Sequence, residues 1–545
     1  MNFMANESAQ KLRGGYYTPV KIATFITRWM KESNAKTFLE PSCGDGAFFA
    51  ALADAGFDES ITVKAFELDP IEAKKAAILA GQKNISARIK NTDFLRVALD
   101  ELTMNNQEYD AVIGNPPFIR YQYLPSEFQD LAEAIFKQLN CKFTKHTNAW
   151  VPFVMAAIAM LKPGGRLGMV IPSEIIHVLH AQSLRTLLGH LCKKIVIIDP
   201  EEIWFEGTLQ GAVILMAEKK LSESDYGHGL GLVQVRGDQF LTQSPTAIFN
   251  SVNAINGRTV EGKWTKAFLS KSSLELLDAA EQFETVHRFK SIAKVDVGIV
   301  TGANSFFLVN DETVKAHRLS SWSHPMFGRS EHCPGVIYDD RQHTENRKKG
   351  LPSNFLWFPE GSADKYSEVA DYLKIGIAQD LHTRYKTRIR KYWYTVPSVS
   401  SSQIGMLKRS HDVPRLILNS AEAYTTDTAY RISSKFVDAQ DLVTAFLNPL
   451  TALSAELEGR TYGGGVLELV PSEIEKLLIP IPTNSNLDIQ RLDTLVRTGS
   501  MTDVLTSHGL KVLELAGFTK HQGEELFDAW VSLKNRRQRK GSEDH

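Results

Sequence analysis

Residues Asn115 to Phe118, with the sequence Asn-Pro-Pro-Phe, have the side chains needed to hold a planar amine. They follow the apolar run Tyr109–Gly114, which predicts a buried strand that ends in a glycine turn. Two successive prolines fix φ and remove two backbone donors, so the segment is stiff. The Asn115 amide and the Pro116 carbonyl offer acceptor oxygens, and Phe118 offers a flat apolar face. This set suits a ring with an exocyclic amino group; the alternative is a plain proline-rich turn.

The region around this loop alternates between short apolar runs, which predict strands, and amphipathic runs, which predict helices. Such alternation is typical of an α/β fold in which an open, mostly parallel sheet carries helices on both faces. Ligands of these sheets bind at the carboxyl ends of the strands. The predicted strands are Thr37–Glu40, Thr62–Glu67, Ser86–Ile89, Tyr109–Gly114, Arg166–Ile171, Lys194–Ile198 and Gly211–Ala217.

Two helices in this region have candidate capping residues. Thr18 is placed to cap a predicted helix over Val20–Lys31, with Pro19 at its start. Asn148 is the candidate cap of a predicted helix over Ala149–Leu161. The N-terminus of the first helix also favours a carboxylate, such as that of an amino-acid ligand, although a purely structural cap is the simpler interpretation.

Polar residues at three predicted strand ends indicate a nucleoside site. The glycine turn over residues 44–46 allows the backbone to approach a ligand closely. Glu67 ends the second strand, where a carboxylate accepts hydrogen bonds from ribose hydroxyls. Asp93 and Phe94 follow the third strand and offer an acceptor for an adenine amino group and a ring to cover the base. A single acid at a strand end is usually just solvated, but three in register favour a nucleoside. A nicotinamide enzyme would not explain the Asn115 loop.

Five segments occur in an order that resembles the γ-class DNA adenine-N6 methyltransferases of restriction–modification systems. They are Gly15–Pro19, Glu40–Gly46, Phe66–Asp69, Asp93–Phe94 and Asn115–Phe118. The resemblance covers the alternating region of the chain. It implies a Rossmann-like class I methyltransferase domain, S-adenosylmethionine as the methyl donor and double-stranded DNA as the partner.

The resemblance also implies roles for individual residues. The residues implied at the methyl donor are Thr18, Glu40, Gly44, Asp45, Glu67, Asp93 and Phe94. The first four would lie near the methionine moiety, the fifth at the ribose and the last two at the adenine. The residues implied at the target base are Asn115, Pro116, Phe118 and, on the opposite face of the base, Phe205, with the adjacent Trp204 as its rival.

The implied chemistry is methyl transfer to the N6 amino group of adenine. The lone pair of that nitrogen is delocalised into the ring, and two acceptors from Asn115 and Pro116 would localise it. A base inside a duplex cannot reach such a pocket, so it must be flipped out. Asparagine at position 115 favours adenine, since related cytosine-amino enzymes commonly have serine there. The chemistry requires no metal.

The alternation ends at the glycine-rich stretch Gly227–Gly237, which predicts a domain edge. The segments Val295–Asn304 and Gly463–Ser472 resemble those that bracket the DNA-recognition region of the same family. We therefore expect a catalytic domain over residues 1–235, a separate C-terminal target-recognition domain over 236–482 and a helical segment over 483–545.

Between these two segments, residues 382–394 are basic, contain no acid and are interleaved with aromatic side chains. Basic clusters are usually solvated faces, but on a DNA-modifying protein phosphate contact is favoured. The predicted DNA contacts are Arg384, Lys386, Arg388, Arg390 and Lys391. Candidate extensions are Lys408, Arg409 and Arg415, with residues 347–349 as a further candidate.

Composition bounds these interpretations. A chain of 545 residues with 43% hydrophobic and 23% charged residues is expected to form two or three globular domains. The formal net charge of -1 means that a nucleic-acid surface must be a local patch. Four scattered cysteines have neither metal-ligand spacing nor a disulfide pattern, which favours a reducing cytoplasm.

Three other functions compete with this one. Ribosomal RNA guanine-amino and protein glutamine-amide methyltransferases also carry the Asn-Pro-Pro loop, but they usually lack a long recognition domain. A bifunctional restriction enzyme would place a nuclease ahead of the methyltransferase, where the sequence has only Met1–Gly15. A DNA-binding protein with an inactive catalytic fold would not need the intact acids. A separately encoded endonuclease that acts on the same site is therefore the expected partner.

Overall fold

The computed structural model describes residues 18–201, 211–252, 254, 262–462, 465–483 and 487–538. These residues form two compact units, which divide after Phe268. The division lies later than the predicted boundary at 235, because the chain that follows packs on the helix Val20–Lys31 of the first unit: Phe240 packs on Phe25, and Phe249 packs on Trp29. Among the described residues, no helix is both long and apolar enough to cross a membrane.

The described part of the first unit contains an eight-stranded sheet with the strand order β3-β2-β1-β4-β5-β7-β6-β8. Strands β1 to β5 pair in parallel, whereas β7 lies antiparallel to both of its neighbours. The predicted open, mostly parallel sheet is confirmed. The strands are β1 (Thr37–Glu40), β2 (Thr62–Glu67), β3 (Ala87–Asn91), β4 (Tyr109–Gly114), β5 (Leu161–Pro172), β6 (Cys192–Pro200), β7 (Ala212–Lys219) and β8 (Gly229–Val235).

Helices cover both faces of this sheet, as predicted. Successive residues of β4 enter different cores: Ala111 and Ile113 join one, and Val112 joins the other. Helices α1, α2, α3 and α8 pack on the first core, and α4 to α7 pack on the second. The helices are α1 (Val20–Lys31), α2 (Ala47–Asp54), α3 (Pro70–Gln82), α4 (Phe94–Thr103), α5 (Ser126–Gln138), α6 (Trp150–Ala159), α7 (Gln182–Leu191) and α8 (Pro245–Ser251).

Three local predictions are corrected. Pro19, not Thr18, occupies the N-cap position of α1, and no side chain caps that helix in the described structure. The Asn148 side chain does not cap α6, because its amide bonds elsewhere. The glycine-rich stretch at 227–237 contains the edge strand β8. Glycine is needed at Gly231, since a Cβ there would lie 2.4 Å from Cγ1 of Val252.

The second unit, Leu269–Gln538, contains several smaller sheets. Their strand orders are β10-β19-β15-β17-β13, β11-β14-β12-β18, β16-β21-β20 and β22-β9. The strands are β9 (Val286–Arg288), β10 (Ala293–Val297), β11 (Leu308–Val309), β12 (Ser323–Phe327), β13 (Ile337–Tyr338), β14 (Asn354–Leu356), β15 (Ile404–Leu407), β16 (Arg409–Ser410), β17 (Leu416–Asn419), β18 (Tyr424–Thr425), β19 (Ala429–Ser434), β20 (Arg460–Tyr462), β21 (Val466–Glu468) and β22 (Leu478–Pro480).

The helices of the second unit lie between these strands and after them. They are α9 (Lys271–Ala280), α10 (Phe289–Ile292), α11 (Asn304–Phe307), α12 (Asp311–Ala316), α13 (Asp340–Lys348), α14 (Ser362–Lys365), α15 (Ser367–Ala378), α16 (Tyr385–Arg388), α17 (Ala439–Phe446), α18 (Pro449–Glu458), α19 (Pro471–Ile474), α20 (Ile489–Thr498), α21 (Met501–Val504), α22 (Leu510–Leu515) and α23 (Lys520–Gln538).

The predicted separate helical segment over 483–545 is not a separate body in the described structure. Arg537 on α23 forms a buried ion pair with Glu456 on α18, at 2.8 Å. The same guanidinium donates to the carbonyl oxygens of His411 and Gly465. Because both charges are buried, the pair ties the last helix into the second unit.

Candidate active site

Parallel pairing brings the carboxyl ends of β2, β1 and β4 to one edge of the first sheet. Glu67 ends β2, Glu40 ends β1, and Asn115 follows β4. Both carboxylate oxygens of Glu67 accept backbone hydrogen bonds, from the N–H of Gly44 at 2.9 Å and of Asp69 at 2.8 Å. The glycine turn after β1 is therefore held against the end of β2.

The glycine turn has a backbone that other residues would strain. Gly44 has φ +52° and Gly46 has φ +97°. A Cβ on Gly46 would lie 2.9 Å from Cδ2 of Phe49 and 3.0 Å from Cα of Ala76. The close approach of the turn to α2 and α3 thus depends on glycine at position 46.

Three carboxylates, those of Glu40, Asp45 and Glu67, make this edge of the sheet acidic. Glu40 is 1% exposed, and burial, together with the neighbouring Glu67 and Asp45, raises its pKa well above the usual 4.5. Its Oε2 has no hydrogen-bond partner among the described residues. Burial and the nearby Glu72 also raise the pKa of Asp45. A buried acid of this kind fits a ligand that brings positive charge and hydrogen-bond donors.

The Asn115 loop lies directly beside the glycine turn. Oγ of Ser42, in the turn, donates to the backbone carbonyl oxygen of Asn115 at 3.0 Å. Asn115 and Phe118 are half-buried, and Pro116 is buried. The Phe118 ring packs against the core beneath α1 and α2. The structure therefore brings together the acidic turn and the loop predicted to hold an amine.

The two residues after β3, which were predicted to contact adenine, have side chains that bond to or pack against other parts of the first unit. Asp93 is the N-cap of α4, and its Oδ1 accepts from the N–H of Leu95 at 2.8 Å. Phe94 is 2% exposed and packs against Phe66 and Phe153. Its ring belongs to the core and does not present an open face; the contact of either residue with adenine stays a prediction.

The remaining predicted site residues lie elsewhere. Thr18 is buried beside the start of α1, and the Phe205 and Trp204 candidates lie outside the described residues.

Sequence reasoning missed Glu174, which follows β5 next to the end of β4. Nδ2 of Asn148 donates to Oε2 of Glu174 at 2.9 Å. Oδ1 of Asn148 accepts from the N–H of Tyr121 at 3.1 Å. The available signal was the position of Glu174 just beyond the carboxyl end of a predicted strand.

In the second unit, the predicted basic surface is only partly available for binding. Arg384, Lys386 and Arg388 are exposed, whereas Arg390 is half-buried. The Arg390 guanidinium donates to the carbonyl oxygens of residues 300 and 301, at 3.0 and 2.9 Å. Its guanidinium thus holds the backbone of residues 300 and 301, and its contact with DNA stays a prediction. Lys391 is exposed but pairs with Glu360 at 2.9 Å.

The candidate extensions of the basic surface also have internal partners. Arg415 is half-buried and donates to the carbonyl oxygens of residues 333 and 335. Arg409 and Lys408 both pair with the buried Glu468, at 2.6 and 3.4 Å. Arg347 pairs with Asp311 at 2.6 Å. These cations bond to groups of the second unit itself. The carboxylates of Asp311 and Glu468 offset part of the positive charge that phosphate groups would otherwise meet.

The sheet order, with β7 antiparallel between β5 and β6, and the acidic glycine turn beside the Asn-Pro-Pro-Phe loop define a class I S-adenosylmethionine-dependent methyltransferase. The donor set fits S-adenosylmethionine, whose sulfonium and ammonium groups are cationic, because Glu40 is buried among acids. The roles predicted for Glu40 and Asp45 at the methionine moiety and for Glu67 at the ribose stay predictions.

Comparison with known proteins identifies the particular kind of methyltransferase. Residues 26–204 match the family described as Eco57I restriction-modification methylase. Residues 261–513 match the family described as Type II methyltransferase M.Eco57I, C-terminal domain. The chain is a Type II restriction–modification methyltransferase: it uses S-adenosylmethionine to methylate DNA.

Individual known proteins are similar to most or to part of this chain. The chain is 26% identical over 483 residues to Type II methyltransferase M.AccI of Acinetobacter calcoaceticus, covering 85% of this chain and 84% of that protein. It is 27% identical over 151 residues to a tRNA1(Val) (adenine(37)-N6)-methyltransferase of Haemophilus influenzae, covering 27% of this chain and 57% of that protein. A cryo-EM structure of a DrdV–DNA complex shares the fold, with 12% identity, a TM-score of 0.50 and coverage of 92% of this chain and 58% of that chain.

Glu40 yields a testable prediction about pH. Because its folded-state pKa is raised, its ionisation costs stability progressively as the pH rises from the unfolded pKa of 4.5 through the folded pKa. We expect Glu40→Gln to melt at the same temperature as the wild type near about pH 4 and at a higher temperature at about pH 8. S-adenosylmethionine should stabilise the wild type more than the variant, since only the wild type offers a carboxylate to its cations.

Thermal unfolding with and without S-adenosylmethionine over this pH range measures both effects. Glu59→Gln, at an exposed position, is the matched control. Equal pH dependence in all three proteins would show that Glu40 carries no destabilising charge.

Proposed function

We propose that this methyltransferase acts on the N6 amino group of adenine in double-stranded DNA, with the base flipped out of the duplex. The observation that carries the proposal is the hydrogen bond from Ser42 to Asn115, which places the Asn-Pro-Pro-Phe loop beside the acidic donor turn. The activity named for the relative from Haemophilus influenzae, adenine-N6 methylation, supports adenine as the acceptor. A separately encoded endonuclease that cuts the same DNA site is the proposed partner.

The loop activates the acceptor through hydrogen bonds. The Asn115 side-chain oxygen and the Pro116 carbonyl oxygen accept the two N–H groups of the amine, which localises the nitrogen lone pair. Phe118 stacks on the base. When bound, S-adenosylmethionine supplies an electrophilic methyl group, so alignment of the nitrogen is the main task of the protein. Phe205 stays the candidate for the second face of the base.

The duplex is held by phosphate contacts in the second unit. Arg384, Lys386 and Arg388 are exposed on or beside the short helix α16. The inward side of this helix is anchored, because Thr387 is 0% exposed and its hydroxyl donates to the carbonyl oxygen of Leu381. Lys391 adds a cation when its pair with Glu360 opens. This surface belongs to the proposed target-recognition domain.

The acceptor is tested by label transfer. The protein is incubated with methyl-labelled S-adenosylmethionine and, separately, with duplex DNA, ribosomal RNA or a protein mixture. We expect label in DNA, recovered as N6-methyladenine by mass spectrometry after digestion to nucleosides. Label in cytosine, in guanine of RNA or in glutamine would overturn the proposal in favour of another acceptor.

The loop chemistry is tested by Asn115→Ala. The variant loses one of two acceptors for the amine, so kcat should fall by about 100-fold or more, the range seen when one such polar group is removed. S-adenosylmethionine affinity, measured by calorimetry, should stay within about threefold, since the donor contacts lie in the turn. Asn106→Ala, in the loop before β4, is the control. Joint loss of binding and turnover would mean that Asn115 mainly supports the fold.

The basic surface is tested by the triple variant Arg384→Ala/Lys386→Ala/Arg388→Ala. The slope of log binding constant against log salt should decrease by roughly 0.9 for each phosphate that the variant no longer binds. A control triple variant removes the exposed cations Lys271, Lys315 and Lys520, which lie on other helices of the same unit. Fluorescence anisotropy with one duplex measures the slopes of the wild type and both variants. An unchanged slope in the first variant would exclude this surface from the interface.

A further inference from the structure

The segment that follows the Asn115 loop is held by the residues just before α6. The N–H of Ala149 donates to the carbonyl oxygen of Ile119 at 3.0 Å. The N–H of Tyr121 donates to Oδ1 of Asn148 at 3.1 Å. Ile119 directly follows Phe118, so these two bonds fix the chain at the exit of the loop.

Asn148 is itself held by Glu174. The Asn148 residue is 7% exposed, and its Nδ2 donates to Oε2 of Glu174 at 2.9 Å. A carboxylate accepts hydrogen bonds but does not donate them, so Glu174 orients the Asn148 amide. Nδ2 must face Glu174, and Oδ1 must then face the N–H of Tyr121. If the Asn148 amide were rotated by half a turn, its Nδ2–H group would face the backbone N–H of Tyr121, and no hydrogen bond would form between them.

The position of Glu174 is also fixed. It follows β5, which pairs in parallel with β4, so the exit of the loop and the end of β5 share one edge of the sheet. Arg185 is fully buried and donates to the carbonyl oxygens of Ile175 and Val178, both at 2.9 Å. These bonds stiffen the turn that carries Glu174. Nε2 of His180 lies 4.0 Å from the Glu174 carboxylate.

We propose that Asn148 and Glu174 are positioning residues for methyl transfer: Glu174 orients the Asn148 amide, and Asn148 fixes the exit of the Asn115 loop. Neither side chain is assigned a contact with the base or with the methyl donor. The proposal rests on the proposed function, because it assumes that the loop holds the acceptor amine. Its predicted effect is on kcat, since a misplaced nitrogen reacts slowly even when both substrates are bound.

The positioning role is tested by exchanging the two functional groups, so that position 148 carries a carboxylate and position 174 carries an amide. Glu174→Gln alone should have little effect, because the glutamine oxygen still accepts from Asn148. Asn148→Asp should lower kcat by about 10- to 100-fold, because two carboxylates then face each other and the loop exit shifts. The double variant Asn148→Asp/Glu174→Gln should recover most of the loss: the glutamine amide donates to Asp, and the other Asp oxygen accepts from Tyr121.

The measurements are kcat at saturating DNA and S-adenosylmethionine, donor affinity by calorimetry, and thermal unfolding for each protein. Donor affinity should change by less than about threefold throughout. Ser183→Ala, which removes a 2.7 Å hydrogen bond to the carbonyl oxygen of Lys142 in the same unit, is the control and should leave kcat unchanged.

The outcomes separate this inference from the proposed function. Absence of wild-type label transfer to DNA adenine overturns the proposed function and, with it, the acceptor assumed here. With an active wild type, the positioning role is overturned if Asn148→Asp keeps wild-type kcat, or if the double variant remains as slow as the single one. Recovery of kcat in the double variant supports it, because a merely space-filling role would not depend on which residue donates.

Discussion

The site depends on the parallel pairing of β1 between β2 and β4. This pairing places the glycine turn, the Glu67 carboxylate and the Asn115 loop on one edge of the sheet, although they are far apart in sequence. Two hydrogen bonds then complete the arrangement, one from Gly44 to Glu67 and one from Ser42 to the Asn115 backbone. The glycine turn and the Asn115 loop are therefore a single structure, and a shift of either strand would move both.

The buried carboxylate of Glu40 in the acidic turn is expected to reduce the stability of the fold when it is ionised. Glu40 is buried beside two other carboxylates, an arrangement that disfavours its charged form in the free protein. Bound cationic groups would reverse that preference by compensating the charge. A buried acid of this kind costs stability, and it would suit the predicted contact with a sulfonium donor, since functional sites commonly cost stability.

The second unit shows how one residue type serves two purposes. Arg537 is buried and Arg415 is half-buried, and their guanidinium groups bond to carbonyl oxygens or to Glu456. Arg384 and Arg388 lie on the surface. A charge that is removed from water requires partners, so the first two guanidinium groups are held by bonds inside the unit. Only the exposed cations remain available for phosphate.

Much of this protein could be predicted from the sequence, since the strands, both helical layers and the order of the loops follow from local periodicity and from motifs whose spacing is specific. Sequence patterns also predicted Glu67 and Asn115 at strand ends, which converge at one edge of a parallel sheet, and the family resemblance pointed to Glu40; the contacts of these residues with the methyl donor and the base stay predictions. What only the tertiary structure decided were the partners of individual side chains: Phe94 in the core, Arg390 on the backbone of residues 300 and 301, and Asn148 on Glu174 instead of on its own helix. Such pairings depend on which distant segments pack together, and local sequence does not contain that information.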